Sequence, residues 1–281
     1  MVTLSNTLTP MGGHAKGGGA GRAGSSMPEL IRWALIAQFC GFLILHLTKN
    51  VPYSSLIGDL ASAPVTVVLP GIALIAGIVG CIIGYGRWML WGCLLGGIAA
   101  IVCIFSRCAE ANWQFLHLLE QGAQFWVPIL GILFAFGNRS SQAVITSVAI
   151  ALTFLGHGIY ALGIPVRPTE FIGLVQGCLP LDSGGTAIML TVVGILDVLA
   201  VICLFIPRTR RAALTYMVIW GSLTALARPW ANFETASSLL RWGPELLIRA
   251  PHFLIPLYLL GHTAGSSRGS SRSGRLDVSN L

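Results

Sequence analysis

The feature that most constrains this chain is a succession of long apolar runs between Leu30 and Gly261. Each run approaches the roughly 20 residues that a helix needs to cross a bilayer. A soluble domain of 281 residues has room to bury one such helix, but not eight in succession. The pattern therefore predicts an all-α, polytopic transmembrane helical bundle.

Composition and charge exclude an ordinary soluble domain. Charged residues make up 10% of the chain, against about 25% in soluble proteins. The formal net charge is +7, but outside the tails and one internal loop Lys and Arg occur singly, without interleaved aromatic residues. That distribution is typical of the positive-inside bias of membrane proteins, and it argues against a nucleic-acid partner.

Eight spans are predicted, with short turns or polar loops between them. They are Leu30–Leu47, Val65–Gly84, Arg87–Ser106, Asn112–Phe136, Ser141–Gly163, Gly185–Ile206, Arg210–Ala227 and Pro244–Gly261. Residues 1–27 and 263–281 are rich in Gly and Ser, a composition that predicts disordered tails. The segments Trp113–Glu120 and Ser238–Trp242 are amphipathic, so we expect them at the membrane interface.

The distribution of Lys and Arg predicts the orientation. An even number of spans puts both tails on one side, together with the turns near Arg87, Arg139 and Arg208–Arg211. That side carries the positive excess, whereas the opposite side holds most of the acidic residues. We therefore expect both termini in the cytoplasm, with the protein in the plasma (inner) membrane.

The two halves of the chain share polar positions, which predicts two tandem four-helix repeats. Gln124-Phe-Trp-Val-Pro128 in span four is similar to His252-Phe-Leu-Ile-Pro256 in span eight. The repeats would cover residues 28–138 and 139–262. With four helices each, the halves would point the same way across the membrane, as parallel repeats do in some transporters.

Four motifs follow one another in the second half. They are Phe154–Gly163, Gly194–Asp197, Trp220–Pro229 and Glu245–Leu257. In this order they resemble the four helices of the DoxX-like membrane protein family, over roughly residues 141–262. The first half departs from the pattern, because Phe42 stands where a His is expected and span two has no acid. The resemblance implies a four-helix bundle, here duplicated, and a link to quinone-linked redox systems, to which some relatives belong.

Asp197 is the strongest candidate for a functional side chain. Along a helix it lies about 16 Å from Arg208, near the middle of the bilayer. A carboxyl group there costs at least roughly 2.5 kcal/mol and is by default a functional hypothesis. We expect a proton or ligand site that faces the bundle interior; the alternative is a packing hydrogen bond between helices.

Further polar groups are expected beside Asp197. His157 is flanked by Gly156 and Gly158, which would let a helix or a ligand approach the imidazole closely. The candidate ligand-binding or proton site comprises Asp197, His157, Thr224, Arg228 and Tyr160. A polar lid is predicted from Glu245, Arg249 and His252. An ordinary salt-bridge collar is the alternative interpretation of that lid.

The sequence fixes no cofactor, metal or catalytic residue. Paired histidines on facing helices could hold a haem or a metal ion, but no ligand spacing in the sequence supports this hypothesis. The candidates are His46, His117, His157 and His252. Cys108 and Cys178 fall in segments predicted outside the cytoplasm, where a disulfide and two free thiols are both open. No phosphate loop, catalytic triad signature or Cys-x-x-Cys pair occurs.

Besides a haem-bearing electron carrier, which the histidines alone would suggest, three functions remain open at this level. The first is a membrane-embedded binding protein or subunit that takes a quinone-like or lipidic molecule and serves a redox partner protein. The second is a transporter or proton-coupled carrier that uses the midplane acid. The third is a structural membrane scaffold, in which Asp197 would affect stability alone.

Overall fold

The computed structural model describes residues 27–49, 63–110, 115–136 and 139–272, and its regular structure is helical, with no strand in those ranges. In chain order the helices are α1 (Glu29–Lys49), α2 (Ala63–Ile83), α3 (Gly86–Glu110), α4 (Phe115–Glu120), α5 (Gly122–Ala135), α6 (Arg139–Leu162), α7 (Thr169–Cys178), α8 (Ser183–Leu204), α9 (Arg210–Ala231), α10 (Ala236–Ile248) and α11 (Pro251–Arg272). The all-α prediction is confirmed. Residues 1–26 of the predicted N-terminal tail and 273–281 of the C-terminal tail lie outside the described residues, and α11 reaches ten residues into the latter.

Four of these helices are long and apolar enough to cross a membrane. Their apolar windows are Glu29–Thr48, Gly86–Ala109, Gln142–Leu162 and Ser183–Leu204. They correspond to the predicted spans one, three, five and six. Two further apolar segments, Val68–Ile83 and Gly122–Phe134, are shorter. The four long helices suggest a membrane location.

The outer faces of α2 and α8 are apolar. On α2 the exposed apolar residues are Val68, Ile72, Ile75, Val79 and Ile82. On α8 they are Ile188, Val192, Ile195, Leu199 and Ile202. Both rows follow steps of three and four residues, so each forms one continuous face of its helix, with the same spacing in the two helices. Such faces are a liability in water, whereas they suit contact with lipid tails.

The first and second halves of the chain pack into each other. Helix α1 packs against α10 and α11 near the end of the chain, and α6 packs against α4 and α5. Within the halves, α2 contacts α1 and α3, while α8 contacts α6 and α9. The opening helix of each half is therefore covered by the closing helices of the other half.

Two glycines allow this close packing between the halves. A Cβ built on Gly41 of α1 would lie 2.8 Å from the carbonyl oxygen of Pro244. A Cβ built on Gly156 of α6 would lie 2.5 Å from the amide nitrogen of Glu120. Both distances are shorter than real Cβ contacts, so these positions accept only a residue without a side chain.

The predicted fourth and eighth spans are each divided in two. Span four is interrupted at Gln121, between α4 and α5, and span eight at Arg249 and Ala250, between α10 and α11. The amide of Arg249 is shared between the carbonyls of Glu245 and Leu246, at 3.3 and 3.2 Å, which tightens the last turn of α10. Helix α11 restarts at a proline, whose fixed φ suits a first helical position.

Helix α7 lies where the sequence predicts an outer loop. The chain leaves α6 through Gly163, whose φ of +83° is the left-handed conformation that commonly ends a helix. Helix α7 then packs against α8 and α9, and none of its residues is buried. It covers one side of the second half.

We expect Gly41→Ala and Gly156→Ala to lower stability by about 1–3 kcal/mol each, because either methyl group would overlap the backbone of the other half. Gly173→Ala is the matched control, since a Cβ at this α7 position meets no atom within 4 Å. The measurement is the apparent Tm of the purified variants in one detergent. Equal Tm values for all three variants would show that the halves do not need this close contact.

Candidate functional site

A cavity of about 460 Å³ lies between α7, α8 and α9 in the second half. Apolar side chains form most of its walls, among them Phe171 and Leu174 of α7, Val193 of α8 and Leu223 of α9. The longer polar side chains that reach it are His157, Asp197, Thr224, Arg228 and Arg249. Its volume falls within the roughly 300–1,000 Å³ of small-molecule pockets.

The cavity opens on the apolar outer surface of α9. Leu223, Leu226 and Trp230 line it and are at the same time exposed. Leu179, just after α7, also lines the cavity and is exposed. An apolar molecule can therefore enter from the side of the bundle, past apolar residues.

Asp197 is buried in α8 and held by a residue of α9. The residue is only 1% exposed, and its Oδ1 accepts a hydrogen bond of 2.7 Å from the hydroxyl of Tyr216. The buried Oδ2 has no hydrogen-bond partner among the described residues. Helices α6 and α8 cross closely here, since a Cβ built on Gly158 would lie 3.0 Å from the Cβ of Asp197.

His157 lies between the cavity and a group of buried charges. Its ring stacks on Phe171, with centroids 5.8 Å apart, and meets the ring of His252 edge-on at 5.5 Å. Its Nε2 is 3.8 Å from Oε1 of Glu120, which is beyond hydrogen-bonding distance. That buried nitrogen has no hydrogen-bond partner in the part of the chain that the structure describes.

A second, much smaller cavity connects Asp197 and His157. Its volume is about 10 Å³, and Thr153, Thr224 and His252 also line it. This is close to the space that one water molecule needs. A water molecule here would lie between Asp197 and His157, whose Oδ2 and Nε2 atoms have no hydrogen-bond partner among the described residues.

Four charged side chains from both halves form a buried cluster beside the cavity, in which Glu120, Glu245 and Arg249 are buried and Arg107 is partly buried. Glu245 of α10 accepts hydrogen bonds from Nη1 of Arg249 at 2.7 Å and from Nη2 of Arg107 at 3.3 Å. Nη2 of Arg249 lies 3.7 Å from Oε1 of Glu120. Because ions are strongly disfavoured in a buried apolar setting, each member depends on its partners of opposite charge.

Imidazole and amide groups extend this cluster. Nδ1 of His117 lies 3.5 Å from Oε2 of Glu120, and the side-chain amide nitrogen Nε2 of Gln121 is 2.8 Å from Nε2 of His117. The side-chain amide nitrogen Nε2 of Gln124 is 3.5 Å from Nε2 of His252. Both helix breaks, at Gln121 and at Arg249, therefore lie within this polar network.

The structure brings most of the predicted site together. Asp197, His157, Thr224 and Arg228 all line the larger cavity. Tyr160 is buried beside the cavity wall, where its ring meets that of Phe171 edge-on at 6.1 Å, and it is not among the lining residues.

The predicted polar lid is arranged differently. Glu245 and His252 lie in the buried network, and Arg249 reaches from there into the cavity. The reason is that α10 packs against α1 and so carries Glu245 inward towards Arg107. Helix α7, and not the predicted lid, covers the cavity.

The structure also bears on the metal and disulfide hypotheses. Across the described ranges, no group of three or more His, Cys, Asp or Glu side chains is arranged to hold a metal ion. Cys108 and Cys178 are free thiols in this structure. The thiol of Cys178 faces the carbonyl oxygen of Ala227 at 3.6 Å.

Several residues of the site do not follow from the sequence reasoning, although signals for two of them are present. When Gln124–Pro128 is aligned with His252–Pro256, Gln121 takes the position that Arg249 has in the second half. The alignment therefore draws attention to Glu120, the residue next to Gln121. Tyr216 precedes Thr224 by two helical turns and so shares its face of α9. Neither signal is strong enough to identify a partner.

We expect Glu245→Gln to destabilise the fold by about 3–5 kcal/mol, because it would leave Arg107 and Arg249 without their shared carboxylate. The control is Glu29→Gln, whose carboxylate is 74% exposed and 3.9 Å from Arg32, and which should have little effect. Thermal unfolding of both variants measures the difference. If both variants unfold like the unmodified protein, the buried cluster does not stabilise the bundle.

Comparison with known proteins assigns no family to this chain. No family model matches the sequence, and no curated protein or solved structure matches it either. The geometry of the second half, with its cavity and buried charges, is therefore the basis for inferring function.

Proposed function

We propose that the chain is an integral membrane protein with eight spans, built from two tandem four-helix repeats. The packing between the halves supports this. Helix α1 packs against α10 and α11 of the second half, and α6 packs in the same way against α4 and α5 of the first half. Gly41 and Gly156 support it too, because each allows its helix to approach the backbone of the other half closely. Both termini would lie in the cytoplasm and the bundle in the plasma (inner) membrane, in keeping with the distribution of Lys and Arg.

The function that the geometry supports best is the binding of an apolar small molecule in the second repeat. The observation that carries this proposal is the cavity between α7, α8 and α9, with apolar walls and with His157, Asp197 and Arg228 among its lining residues. Small-molecule sites combine such walls with a few polar groups that orient the ligand. The lateral opening at α9 gives a route of entry from the membrane.

A quinone-like or lipidic molecule fits this chemistry. Either one has apolar surface for the walls and oxygen acceptors that Arg228 can bind through its guanidinium. The resemblance of the second half to the DoxX-like family adds a redox partner protein to the proposal. Membrane lipids would surround the bundle along the exposed faces of α2 and α8.

We expect Leu174→Trp to abolish binding, because the larger side chain would fill the cavity from α7, a helix without buried residues. Gln176→Trp is the matched control, since it adds the same indole on the same helix at an exposed position outside the lining. Native mass spectrometry of protein released from mild detergent would detect a co-purified small mass. That mass should remain with the control and disappear from Leu174→Trp.

A bare unmodified chain, or a bound mass that Leu174→Trp retains, would contradict the binding proposal. A structural scaffold would then be the better description.

A proton-coupled carrier is the second candidate, and the paired helix breaks favour it. Interrupted helices in corresponding positions of two repeats mark the binding sites of several transporter folds. Here the breaks at Gln121 and Arg249 flank the buried charges. The water-sized cavity beside Asp197 would connect that acid, through His157, with Glu120.

For the carrier, Asp197→Asn should abolish proton entry into proteoliposomes driven by an inside-negative potassium diffusion potential, because the amide cannot exchange a proton. Tyr216→Phe is the control that keeps the carboxyl group and removes its hydrogen-bond partner. Pyranine fluorescence inside the liposomes measures the flux. Equal flux in unmodified protein, Asp197→Asn and empty liposomes would exclude this function.

A further inference from the structure

The charged side chains around the larger cavity are unevenly paired. Arg249 has two buried carboxylates near it, those of Glu245 and Glu120. Arg107 shares the carboxylate of Glu245. Arg228 also lines the cavity, but its ion pair is with Glu170 of the covering helix α7, at 3.8 Å. Arg228 is near enough to interact electrostatically with Glu245 and Arg249, but it forms no ion pair within 4.0 Å with a member of the buried cluster.

The partner of Arg228 is weakly held. The side chain of Glu170 is 77% exposed, whereas that of Arg228 is only 15% exposed. At 3.8 Å the two groups form an ion pair without a hydrogen bond of normal length. A pair with one solvated partner contributes little to stability, so separating it costs little.

The other acidic group of the cavity does not neutralise Arg228. Asp197 is bound to the hydroxyl of Tyr216, and no cationic side chain of the described residues lies within 4.0 Å of its carboxyl group. Glu120 faces His157, His117 and Arg249. Among the described residues, the carboxylate in ion-pair contact with the sheltered guanidinium of Arg228 is therefore that of the exposed Glu170.

We infer that the cavity takes an anionic amphiphile, whose acidic head displaces Glu170 from Arg228 and whose apolar tail lies between α7, α8 and α9. This inference rests on the proposed function and specifies its ligand class. A guanidinium binds carboxylate and phosphate oxygens through two parallel hydrogen bonds, which Glu170 does not make here. The tail would lie against Leu174, Val193 and Leu223, and the opening at α9 would admit it from the membrane.

The test compares photoreactive palmitate with photoreactive hexadecanol, which has the same chain and a neutral head, in phosphatidylcholine nanodiscs. Peptide mapping locates the labelled residues, and competition by the unlabelled compounds gives relative affinities. Arg228→Gln should weaken palmitate binding by about tenfold or more and leave hexadecanol unchanged. Arg241→Gln, on an exposed residue of α10 outside the cavity, is the control of equal charge change.

Glu170→Gln provides the opposite change at an exposed position, where misfolding is not a concern. Removing the competing carboxylate should strengthen palmitate binding by about two- to fivefold, with hexadecanol unchanged. Hexadecyl phosphate in the same assay distinguishes the two acidic heads. Tighter binding than palmitate, with the same dependence on Arg228, would assign a phosphate head.

Three results would overturn the inference. Equal binding of palmitate and hexadecanol, unaffected by either substitution, would show that the cavity ignores charge, while the proposed apolar binding would stand. An equal loss of both compounds in Arg228→Gln, with no gain in Glu170→Gln, would mean that Arg228 only supports the cavity wall. No labelling of the cavity by any compound would contradict the proposed function as well.

Discussion

The fold depends on a buried ionic contact between its two halves. Arg249, at the break between α10 and α11, lies between Glu245 of its own helix and Glu120 at the end of α4, while Arg107 of α3 reaches the same group. In an apolar bundle none of these charges is tolerable alone, so α3, α4 and α10 must assemble together. The contact therefore specifies which helix ends meet, a task that non-directional apolar packing performs poorly.

This constraint also determines where the candidate site lies. Because α4 ends at Glu120 and α10 ends next to Arg249, both helices end where their polar groups meet, beside His157. The close crossing of α6 and α8 at Gly158 then brings Asp197 near the same region. The cavity next to this polar centre combines apolar walls from α7, α8 and α9 with a few charged and polar side chains. An amphiphilic ligand requires that combination.

The sequence predicts much of this architecture, and what it misses is informative. The positions of α1, α3, α6 and α8 follow from local apolar length, which needs no knowledge of neighbours. Asp197 and His157 are identifiable because polar groups in apolar runs are costly and therefore rarely incidental.

The missed features depend on contacts between distant parts of the chain. The pairing of Glu120 with Arg249 joins residues of opposite halves, and no local pattern encodes such a partner. Helix α7 is missed because it is short and has no buried face, so its sequence lacks the apolar periodicity of the other helices. The divided spans are missed because Gln121 and Arg249 lie in runs that hydropathy alone treats as continuous.

The packing of α1 and α6 against helices of the other half has a consequence for how the chain folds during its synthesis. Helix α1 is synthesised well before α10 and α11, which cover one of its faces. That face of α1 therefore lacks its native contacts while the intervening helices are made. Packing of α1 is completed only after α10 and α11 have been translated, so the first half cannot reach its native contacts as an independent early unit.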